Sequence, residues 1–510
     1  MRVGAAAVLL AASVLLSRAL GYLREAVLAN QVGVSAQADA YRAAFQIPDM
    51  LNYFLAGGAL SIAFIPLYTR ALRERGSQHA ERLFATVLGT TGALAILFTA
   101  AMWWWAEPLI ALQFADFDAE TRALAVRLTR IVLPAQIFFV SGGIVRAVLM
   151  ARGRFGAQAA APLIYNGAII AGGLALGPRL GVEGFAWGAL VGPLIGSLIV
   201  PLVDAWGRVR VRIRIAPFDR ELLAYLVVAA PLMLGLSLLT VDEWYDRWFG
   251  NRLGEGVIAS LGYARQLMQA PVAVVGQAIA AAALPVLAQL WSAGRREELE
   301  RVLLRTLQAG LALALLAGAG MFALAQPIVQ LVYQHGAFTR ANSEVVAGLL
   351  SVFCFAVPGW VAQQIASRAF FARGDTWRPM LLSTAVALAA IPLYLALGER
   401  LGPSGLALAG ALAMSTNALL TLGLARRLHG SPPLGRLLAT GTRAALVAAA
   451  AAAAAQLVQR PPGDAPRALL NLTLGAAAFG AIGLAGVWAV GDAVMRDGVR
   501  RVLRRAGGVG

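Results

Sequence analysis

Long apolar runs, separated by short polar segments, follow one another along almost the whole chain. Each run has about 20 residues, which is the length of an α-helix that crosses the hydrocarbon core of a bilayer. A transmembrane β-barrel would instead alternate apolar and polar residues in short strands. The pattern therefore predicts an all-α polytopic membrane protein with about fourteen transmembrane helices. We expect these helices near residues 5–31, 37–68, 83–106, 122–150, 157–177, 183–205, 221–242, 255–288, 301–333, 343–371, 378–398, 404–425, 435–458 and 467–494.

Composition agrees with a membrane protein and excludes several other classes. Hydrophobic residues make up 59% of the chain and charged residues 14%, whereas a soluble protein carries about 25% charged residues. The lone Cys354 and three scattered histidines predict neither a disulfide framework nor a metal site. Paired carboxylates or a nucleophile with its base, which an enzyme would need in one place, do not assemble. We therefore predict a transporter rather than an enzyme.

The net charge of +17 comes from arginine, because the chain contains no lysine. Arginine-rich loops alternate with acidic loops along the chain, as in a protein of the bacterial inner membrane whose basic loops face the cytoplasm. We therefore predict no nucleic-acid partner and place both termini in the cytoplasm. The first apolar run lacks a signal-peptide cleavage pattern, so we interpret it as the first span. The basic loops lie near residues 70–82, 152–154, 208–214, 295–296, 373–378 and 426–436.

An internal repeat divides the chain into two similar parts. Residues 176–186 read LGPRLGVEGFA and residues 397–407 read LGERLGPSGLA, and the Ala-Arg-Gly of 151–153 recurs at the same offset in 372–374. Six helices in each part is an even number, so the two bundles should run parallel, with the substrate bound between them. We predict an N-terminal bundle, a basic cytoplasmic connector, a C-terminal bundle, and two extra helices with a basic tail. These parts cover residues 1–207, 208–220, 221–430 and 431–510.

Charged residues inside apolar sequence are the candidates for function. Arg18, Arg24 and Asp39 lie in the first two predicted helices, and Arg265 lies in predicted helix 8. A charge at the bilayer centre costs about 3 kcal/mol on insertion scales, so such side chains face a partner or a water-filled cavity. Arginine offers a planar fork of donors that fits phosphate oxygens, which predicts an anionic substrate. Two alternatives stay open: snorkelling of Arg24 to the membrane surface, and structural ion pairs that tie helices together.

Two other charged stretches have simpler interpretations. Asp242, Glu243, Asp246 and Arg247 occur in VDEWYDR at the outer end of predicted helix 7, and we interpret them as a solvated loop, with a cation or gate site as the alternative. Residues 209–215 read VRVRIRI, which alternates like a strand. With its arginines on one face this segment is suited to anionic lipid or to a short ribbon. We favour a basic connector.

Several longer motifs resemble those of a known family. They are SRALGYLREAVLA, ADAYRAAFQIPDML, GALSIAFIP, ARGRFGAQAAAPLIYN, LGYARQLMQAP, YQHGAFT and FFARGDTWRPM, in the expected order. In these motifs the chain resembles the MurJ/MviN family, lipid II flippases of the MOP (MATE-like) exporter superfamily. The resemblance implies translocation of the undecaprenyl-pyrophosphate-linked peptidoglycan precursor from the inner to the outer leaflet by alternating access. It also implies substrate-binding roles for Arg18, Arg24 and Asp39.

The chain departs from the family's pattern at several positions. Asn52 stands where the family usually has an arginine, and Gly57 replaces the glutamate of A-E-G. In predicted helix 8 the family's Y-A-D-R-L becomes Y-A-R-Q-L, so Gln266 takes the arginine position and Arg265 precedes it. A one-residue shift turns a side chain about 100° around a helix. Arg265 is therefore not an automatic substitute for the family's arginine. Arg265, Asn52 and Gln266 complete the predicted substrate-binding residues.

Three other functions are alternatives to a lipid II flippase. They are a paralogous flippase for another polyprenyl-linked glycan, a MATE-like cation-coupled exporter, and a transport-dead membrane scaffold. We predict that the protein has no cofactor. We also predict that transport is coupled to the membrane potential or to a monovalent cation. Predicted helix 378–398 lacks an acidic residue that a sodium site would need. The expected partners are a lipid-linked anionic glycan, membrane lipids and cell-wall synthesis proteins.

Overall fold

The computed structural model describes residues 3–56, 59–234, 238–430 and 432–507. Gly57, one of the departures noted above, lies outside the described residues. Within the described ranges the chain is almost entirely helical and contains no β-strand. The predicted fold class, an all-α polytopic membrane protein, is confirmed.

The helices of the first part of the chain end before the gap at residue 235. A single π-helical turn joins two of them at Leu194–Ile199. The helices are α1 (Val3–Val32), α2 (Ala36–Ala44), α3 (Gln46–Ala56), α4 (Ala59–Arg75), α5 (Ser77–Trp104), α6 (Ala106–Gln113), α7 (Ala119–Val132), α8 (Ala135–Ala151), α9 (Gly156–Leu180), α10 (Val182–Pro193), α11 (Val200–Ala205) and α12 (Arg220–Leu234).

The second part of the chain is also mainly helical in its described residues. A 3₁₀ turn follows the first of its helices at Asn251–Leu253, and a π-helical turn lies at Val272–Gln277. The helices are α13 (Leu238–Gly250), α14 (Val257–Pro271), α15 (Ala278–Ser292), α16 (Arg296–Ala323), α17 (Ala325–Tyr333), α18 (Arg340–Cys354), α19 (Val357–Phe371), α20 (Trp377–Leu401), α21 (Pro403–His429), α22 (Leu434–Leu457), α23 (Ala465–Ala489) and α24 (Ala493–Gly507).

Side-chain caps fix where several of these helices begin. The carboxylate of Asp118 accepts a hydrogen bond from Thr121 N at 2.6 Å at the start of α7. At the start of α18, Thr339 Oγ1 accepts one from Asn342 N at 3.2 Å. The first turn of a helix has N–H groups without intrahelical acceptors, and these caps satisfy one each.

The described residues contain fewer candidate membrane spans than the fourteen helices that the sequence predicts. Among the described residues, ten helices are long and apolar enough to cross a membrane, and α18 with α19, bent by 41°, make an eleventh. The predicted helix 37–68 is interrupted at Phe45, between α2 and α3, and residues 57–58, between α3 and α4, lie outside the described residues. Pro48 lies in the first turn of α3, where its missing N–H costs no hydrogen bond, so the chain breaks just before it. The total of fourteen helices stays a prediction.

The chain divides into two compact units. The first unit consists of Met1–Gly235, Gly254–Ala259 and His335–Phe338. The second consists of Leu236–Leu253, Ser260–Gln334 and Thr339–Gly510. The domain boundaries that we placed after residues 207, 220 and 430 stay predictions.

The internal repeat reappears as matched turns. Gly181 follows α9 with a φ of 55° and Gly402 follows α20 with a φ of 60°, while Gly153 and Gly374 both have a φ of 77°. Only glycine adopts such positive values without steric cost. The members of each pair occupy equivalent positions in the sequence repeat. The repeated motifs therefore encode the same local backbone in both units.

Helices α9 and α10 of the first unit pack closely through glycine. A Cβ atom added at Gly188 would lie 2.7 Å from Ile169 Cα, and one added at Gly192 would lie 3.0 Å from Tyr165 Cα. Such distances leave no room for a side chain between the two backbones. Small residues one helical turn apart allow this approach in membrane helices, where van der Waals packing drives association.

The outer surfaces of the long helices are apolar. Leu97 and Phe98 on α5 and Leu419 on α21 are exposed large hydrophobic side chains. Soluble monomers rarely present such side chains in contiguous patches. This surface is suited to lipid acyl chains and agrees with membrane-spanning helices.

Candidate functional site

A buried ion cluster joins the first two helices of the first unit. Glu25 on α1 accepts hydrogen bonds from Arg24 Nη2 at 2.9 Å and from Arg42 Nη2, on α2, at 2.7 Å. Glu25 is 4% exposed, whereas the side chains of Arg24 and Arg42 are 23% and 15% exposed. These three residues are called the helix-1 cluster below.

Asn166 on α9 orients the guanidinium of Arg24. Arg24 Nη1 donates to Asn166 Oδ1 at 3.2 Å. Asn166 Nδ2 in turn donates to Ser17 Oγ at 3.2 Å and to the carbonyl oxygen of Pro162 at 3.1 Å. Arg24 is thus held from two directions inside the unit, which disfavours snorkelling to the membrane surface.

One guanidinium group of the helix-1 cluster stays partly accessible. Arg24 and Arg42 share the carboxylate of Glu25. Charges interact strongly where surrounding apolar helices lower the dielectric constant. Part of the Arg24 side chain stays accessible, so the cluster is able to attract and contact an anion.

The other predicted residues of the first two helices lie nearby in sequence. Arg18 is six residues before Arg24 on α1, which places the two side chains about 120° apart around the helix. Arg18 and Asn52 of α3 are both partly exposed. Their predicted roles in substrate binding stay predictions.

Asp39 contacts backbone amides at the start of α14. Its carboxylate accepts hydrogen bonds from Gly256 N at 2.6 Å and from Ala259 N at 2.7 Å. All three residues belong to the first unit, and Asp39 is buried. These bonds to main-chain N–H groups were not foreseen from the sequence. The predicted role of Asp39 in substrate binding or gating stays a prediction.

Arg265 lies in a second buried ion cluster, within the second unit. Its Nε donates to Asp246 Oδ2 at 2.8 Å, its Nη2 also donates to Asp246, and its Nη1 donates to Asp242. The guanidinium carbon lies 4.8 Å from the centre of the Phe353 ring. Tyr394 donates from its hydroxyl to Asp242. These contacts support the structural ion-pair alternative for Arg265, and its role as a substrate ligand stays a prediction.

The solvated-loop interpretation of VDEWYDR is wrong, because the stretch lies on α13 and Asp242, Asp246 and Arg247 are buried. The two acids are four residues apart on α13, so they share one face of that helix and meet Arg265 together. Their partner is on another helix, which short-range patterns do not reveal. The spacing of the two acids by one helical turn, together with an arginine in an apolar helix, was the available signal. Gln266, next to Arg265, is partly exposed.

Comparison with known proteins decides the family. A family model described as "Lipid II flippase MurJ" matches residues 28–461, which is most of the chain. This chain belongs to the MurJ family. The matched range begins at Leu28, so Arg18, Arg24 and Glu25 lie just before it, whereas Arg42 and Asn166 lie inside it.

Relatives and solved structures agree with membership in the MurJ family. A protein of Rhizobium tropici named "Probable lipid II flippase MurJ" is 30% identical over 429 residues, which cover 81% of this chain and 79% of the relative. The structure titled "Lipid II flippase MurJ, inward closed conformation" matches with a TM-score of 0.79 at 21% identity, over 94% of this chain and 99% of that one. A MATE family multidrug transporter matches with a TM-score of 0.69 at 16% identity, over 81% and 94%. These structures share the fold.

Membership in the MurJ family confirms the prediction of a transporter rather than an enzyme. The two rival transport functions, a flippase for another glycan and a MATE-like exporter, are not favoured, because the curated relatives carry the MurJ name. The MATE match extends to the fold alone.

Proposed function

We propose that this protein is a flippase that moves lipid II from the inner to the outer leaflet of the bacterial cytoplasmic membrane. Lipid II is the peptidoglycan precursor linked to undecaprenyl pyrophosphate, and its transport proceeds by alternating access. The observation that carries this proposal is Arg24 in the helix-1 cluster, a guanidinium that Glu25 holds inside a unit of a MurJ family protein and that stays partly accessible.

The guanidinium of Arg24 suits the pyrophosphate of the substrate. The guanidinium of Arg24 presents a fixed fork of N–H donors, which matches phosphate oxygens in geometry and in charge. Glu25 and Asn166 already hold this guanidinium in place. A preorganised side chain loses less conformational entropy when it binds, so more of the interaction energy is available for affinity.

The predicted site residues take different parts in this proposal. Arg18 and Arg24 hold the pyrophosphate, which is the only strongly anionic part of the linkage between lipid and glycan. Asn52 and Gln266 supply neutral polar contacts, whereas Arg265, whose Nε, Nη1 and Nη2 already donate to Asp242 and Asp246, has a structural role. The loss of arginine at positions 52 and 266 leaves the helix-1 cluster with the larger share of substrate binding.

Asp39 serves as a gate residue in the same proposal. Its two hydrogen bonds to Gly256 and Ala259 connect α2 to the first turn of α14. Hydrogen bonds between a side chain and a helix start can break and re-form when helices move, without unfolding either helix. Breaking them would accompany the change of access.

The proposal also covers the orientation of the chain in the membrane and the energy source of transport. Both termini face the cytoplasm, because the arginine-rich loops then lie inside. The membrane potential biases the movement of charge by about 2.3 kcal/mol per elementary charge per 100 mV, and a monovalent cation is the alternative driving ion. Proteins of cell-wall synthesis are the expected partners on the outer side, where lipid II is consumed.

The proposal is tested by replacement in living cells. A bacterium whose own lipid II flippase can be depleted is supplied with this chain, and growth, lysis and lipid II accumulation are measured. The unaltered chain should restore growth and normal wall synthesis. Arg24→Ala should lower the flipping rate by about tenfold to a hundredfold, because a hydrogen bond to a charged group contributes about 1.5–3 kcal/mol.

Arg427→Ala is the matched control, since Arg427 is an exposed arginine near the end of α21. This variant should restore growth as well as the unaltered chain does. Lysis despite normal amounts of the unaltered chain in the membrane would contradict lipid II as the substrate. Full activity of Arg24→Ala would contradict the role of the helix-1 cluster and leave the substrate assignment standing.

A further inference from the structure

The segment between α11 and α12 exposes large apolar side chains. Residues 206–218 are not helical, although they connect a membrane span that ends at Ala205 to the start of α12. Four of their side chains are mostly exposed: Trp206 at 84%, Ile213 at 77%, Ile215 at 65% and Phe218 at 88%. Since the segment directly follows the membrane span that ends at Ala205, this apolar surface lies at the edge of the membrane.

The same segment exposes arginines on its other side. Side chains of an extended chain point alternately to opposite sides. Within residues 210–216, which are neither helix nor turn, the exposed Ile213 and Ile215 occupy odd-numbered positions and the exposed Arg210 and Arg212 occupy even-numbered positions. Trp206 and Phe218 lie in the turns at the two ends of the segment and are outside this alternation. The segment is therefore amphipathic, with an apolar side and a cationic side.

Hydrogen bonds to α5 hold this segment in place. Arg214 N donates to the carbonyl oxygen of Ala85 at 3.0 Å, and Ala216 N donates to Thr90 Oγ1 at 3.0 Å. A Cβ atom added at Gly89 would lie 2.6 Å from Arg214 N, so the two backbones are in direct contact. The exposed side chains thus project from a fixed backbone rather than from a free loop.

The contact with α5 also indicates depth in the membrane. The last charged residue at the start of α5 is Arg82, and no charged residue follows until Glu107. Helices rise by about 1.5 Å per residue, so Ala85 and Thr90 lie within about 12 Å of Arg82 along the axis. Residues 214–216 therefore lie where the headgroups give way to hydrocarbon.

We propose that residues 206–218 bind anionic phospholipids at the cytoplasmic surface of the membrane. Ile213, Ile215 and the two aromatic side chains enter the edge of the hydrocarbon, and Arg210 and Arg212 contact headgroup phosphates. Basic residues beside a membrane surface attract anionic lipids, and tryptophan favours the interface. This binding is separate from the proposed transport of lipid II and takes a different class of lipid.

Spin labels on neighbouring residues test the insertion. Cys354, the single cysteine, is first removed by Cys354→Ala, and cysteine is then introduced as Ile213→Cys or, as the matched control, Arg212→Cys. The labelled full chain is reconstituted in vesicles that contain phosphatidylglycerol. The label at position 213 should be accessible to oxygen and shielded from a water-soluble nickel complex, and the label at position 212 should show the reverse. Equal access of the nickel complex to both labels would overturn the proposal.

Titration with lipid tests the charge. Purified protein in neutral detergent is titrated with phosphatidylglycerol, and the Arg210→Gln/Arg212→Gln variant should bind about 25-fold more weakly, since each arginine beside a membrane surface contributes about fivefold. The Arg127→Gln/Arg340→Gln variant also removes two exposed arginines, both in predicted outer regions, and should bind as the unaltered chain does. Equal weakening of both variants would overturn the proposal.

Two further arms identify the ligand. Inorganic phosphate should not displace phosphatidylglycerol, because it cannot use the apolar side of the segment. Displacement at equal concentration would mean a phosphate site and would overturn the proposal. If the label at position 213 is shielded from the nickel complex in native membranes but not in pure lipid vesicles, a protein covers the segment. That result would also overturn the proposal.

Discussion

The carboxylate of Asp39 accepts a hydrogen bond from the backbone N–H of Ala259 at 2.7 Å. Gly256 N donates to the same carboxylate at 2.6 Å. These N–H groups belong to the start of a helix, where four such donors have no intrahelical acceptor and the helix dipole favours a negative charge. Asp39 therefore caps α14 from a helix that lies far earlier in the sequence.

Asp39→Ala should destabilise the protein strongly. It leaves two buried backbone donors without an acceptor, and each costs about 1–3 kcal/mol. Asp39→Asn keeps one acceptor oxygen and should recover about half of the loss. Thermal unfolding of the purified protein in detergent measures both. Thr339→Ala removes an exposed helix cap and should cost only about 1 kcal/mol; a similar small effect at Asp39 would contradict the capping role.

Glu25→Gln should lower stability and transport together. It removes the carboxylate that two guanidinium groups share, and the loss of one partner of a buried ion pair costs about 3 kcal/mol. The measurement is a double-mutant cycle of Glu25→Gln with Arg42→Gln, followed by thermal unfolding. We expect a coupling free energy of about 1–3 kcal/mol between the two residues. A coupling near zero would mean that the helix-1 cluster does not act as a unit.

Arg265→Gln distinguishes a structural arginine from a substrate ligand. It leaves Asp242 and Asp246 buried without their counter-charge, which should cost about 3–5 kcal/mol. Arg265→Lys keeps the charge but cannot supply three donors in one plane, so it should recover only part of the loss. Thermal unfolding and the replacement assay are run on the same variants. Loss of transport at unchanged stability would show instead that Arg265 serves the substrate.

Gly89→Ala should disturb the segment that passes over α5. The added methyl group would overlap the backbone of Arg214, and overpacking of this kind costs about 1–3 kcal/mol. Proteolysis of residues 206–218 should become faster as their contact with α5 weakens. Gly423→Ala, on α21 with nothing within 4 Å of the added atom, should leave stability equal or slightly higher, because alanine favours a helix. Equal behaviour of the two variants would contradict the close contact.

Much of the fold follows from the sequence because it depends on local composition. Apolar runs of the right length produce helices wherever they occur, and the family motifs supply their order. The internal sequence repeat correctly marks two similar turns, because Gly181 and Gly402 have nearly the same φ. The break between α2 and α3 within predicted helix 37–68 was less visible, since Pro48 interrupts a helix only in combination with the packing around it.

The charged residues of the candidate site could be predicted from the sequence, but the residues to which they are hydrogen-bonded could not. Arg24 and Asp39 stand out as charges in apolar helices. Asn166, which orients Arg24, comes from a helix much later in the chain, and its pairing depends on how α1 packs against α9. The same reason explains the error at Asp242, where the neutralising arginine is on a different helix. Pairings of this kind are a property of tertiary packing.

The two matched glycine turns mean that each unit contains the same type of connection between two helices. Gly181 and Gly402 share a backbone conformation that any other residue would strain, yet different residues surround them. Parallel substitutions at the two sites would thus be independent replicates within a single molecule. Because the backbone conformation is the same at both sites, any difference between the two changes in the free energy of unfolding would come from the residues that surround each glycine.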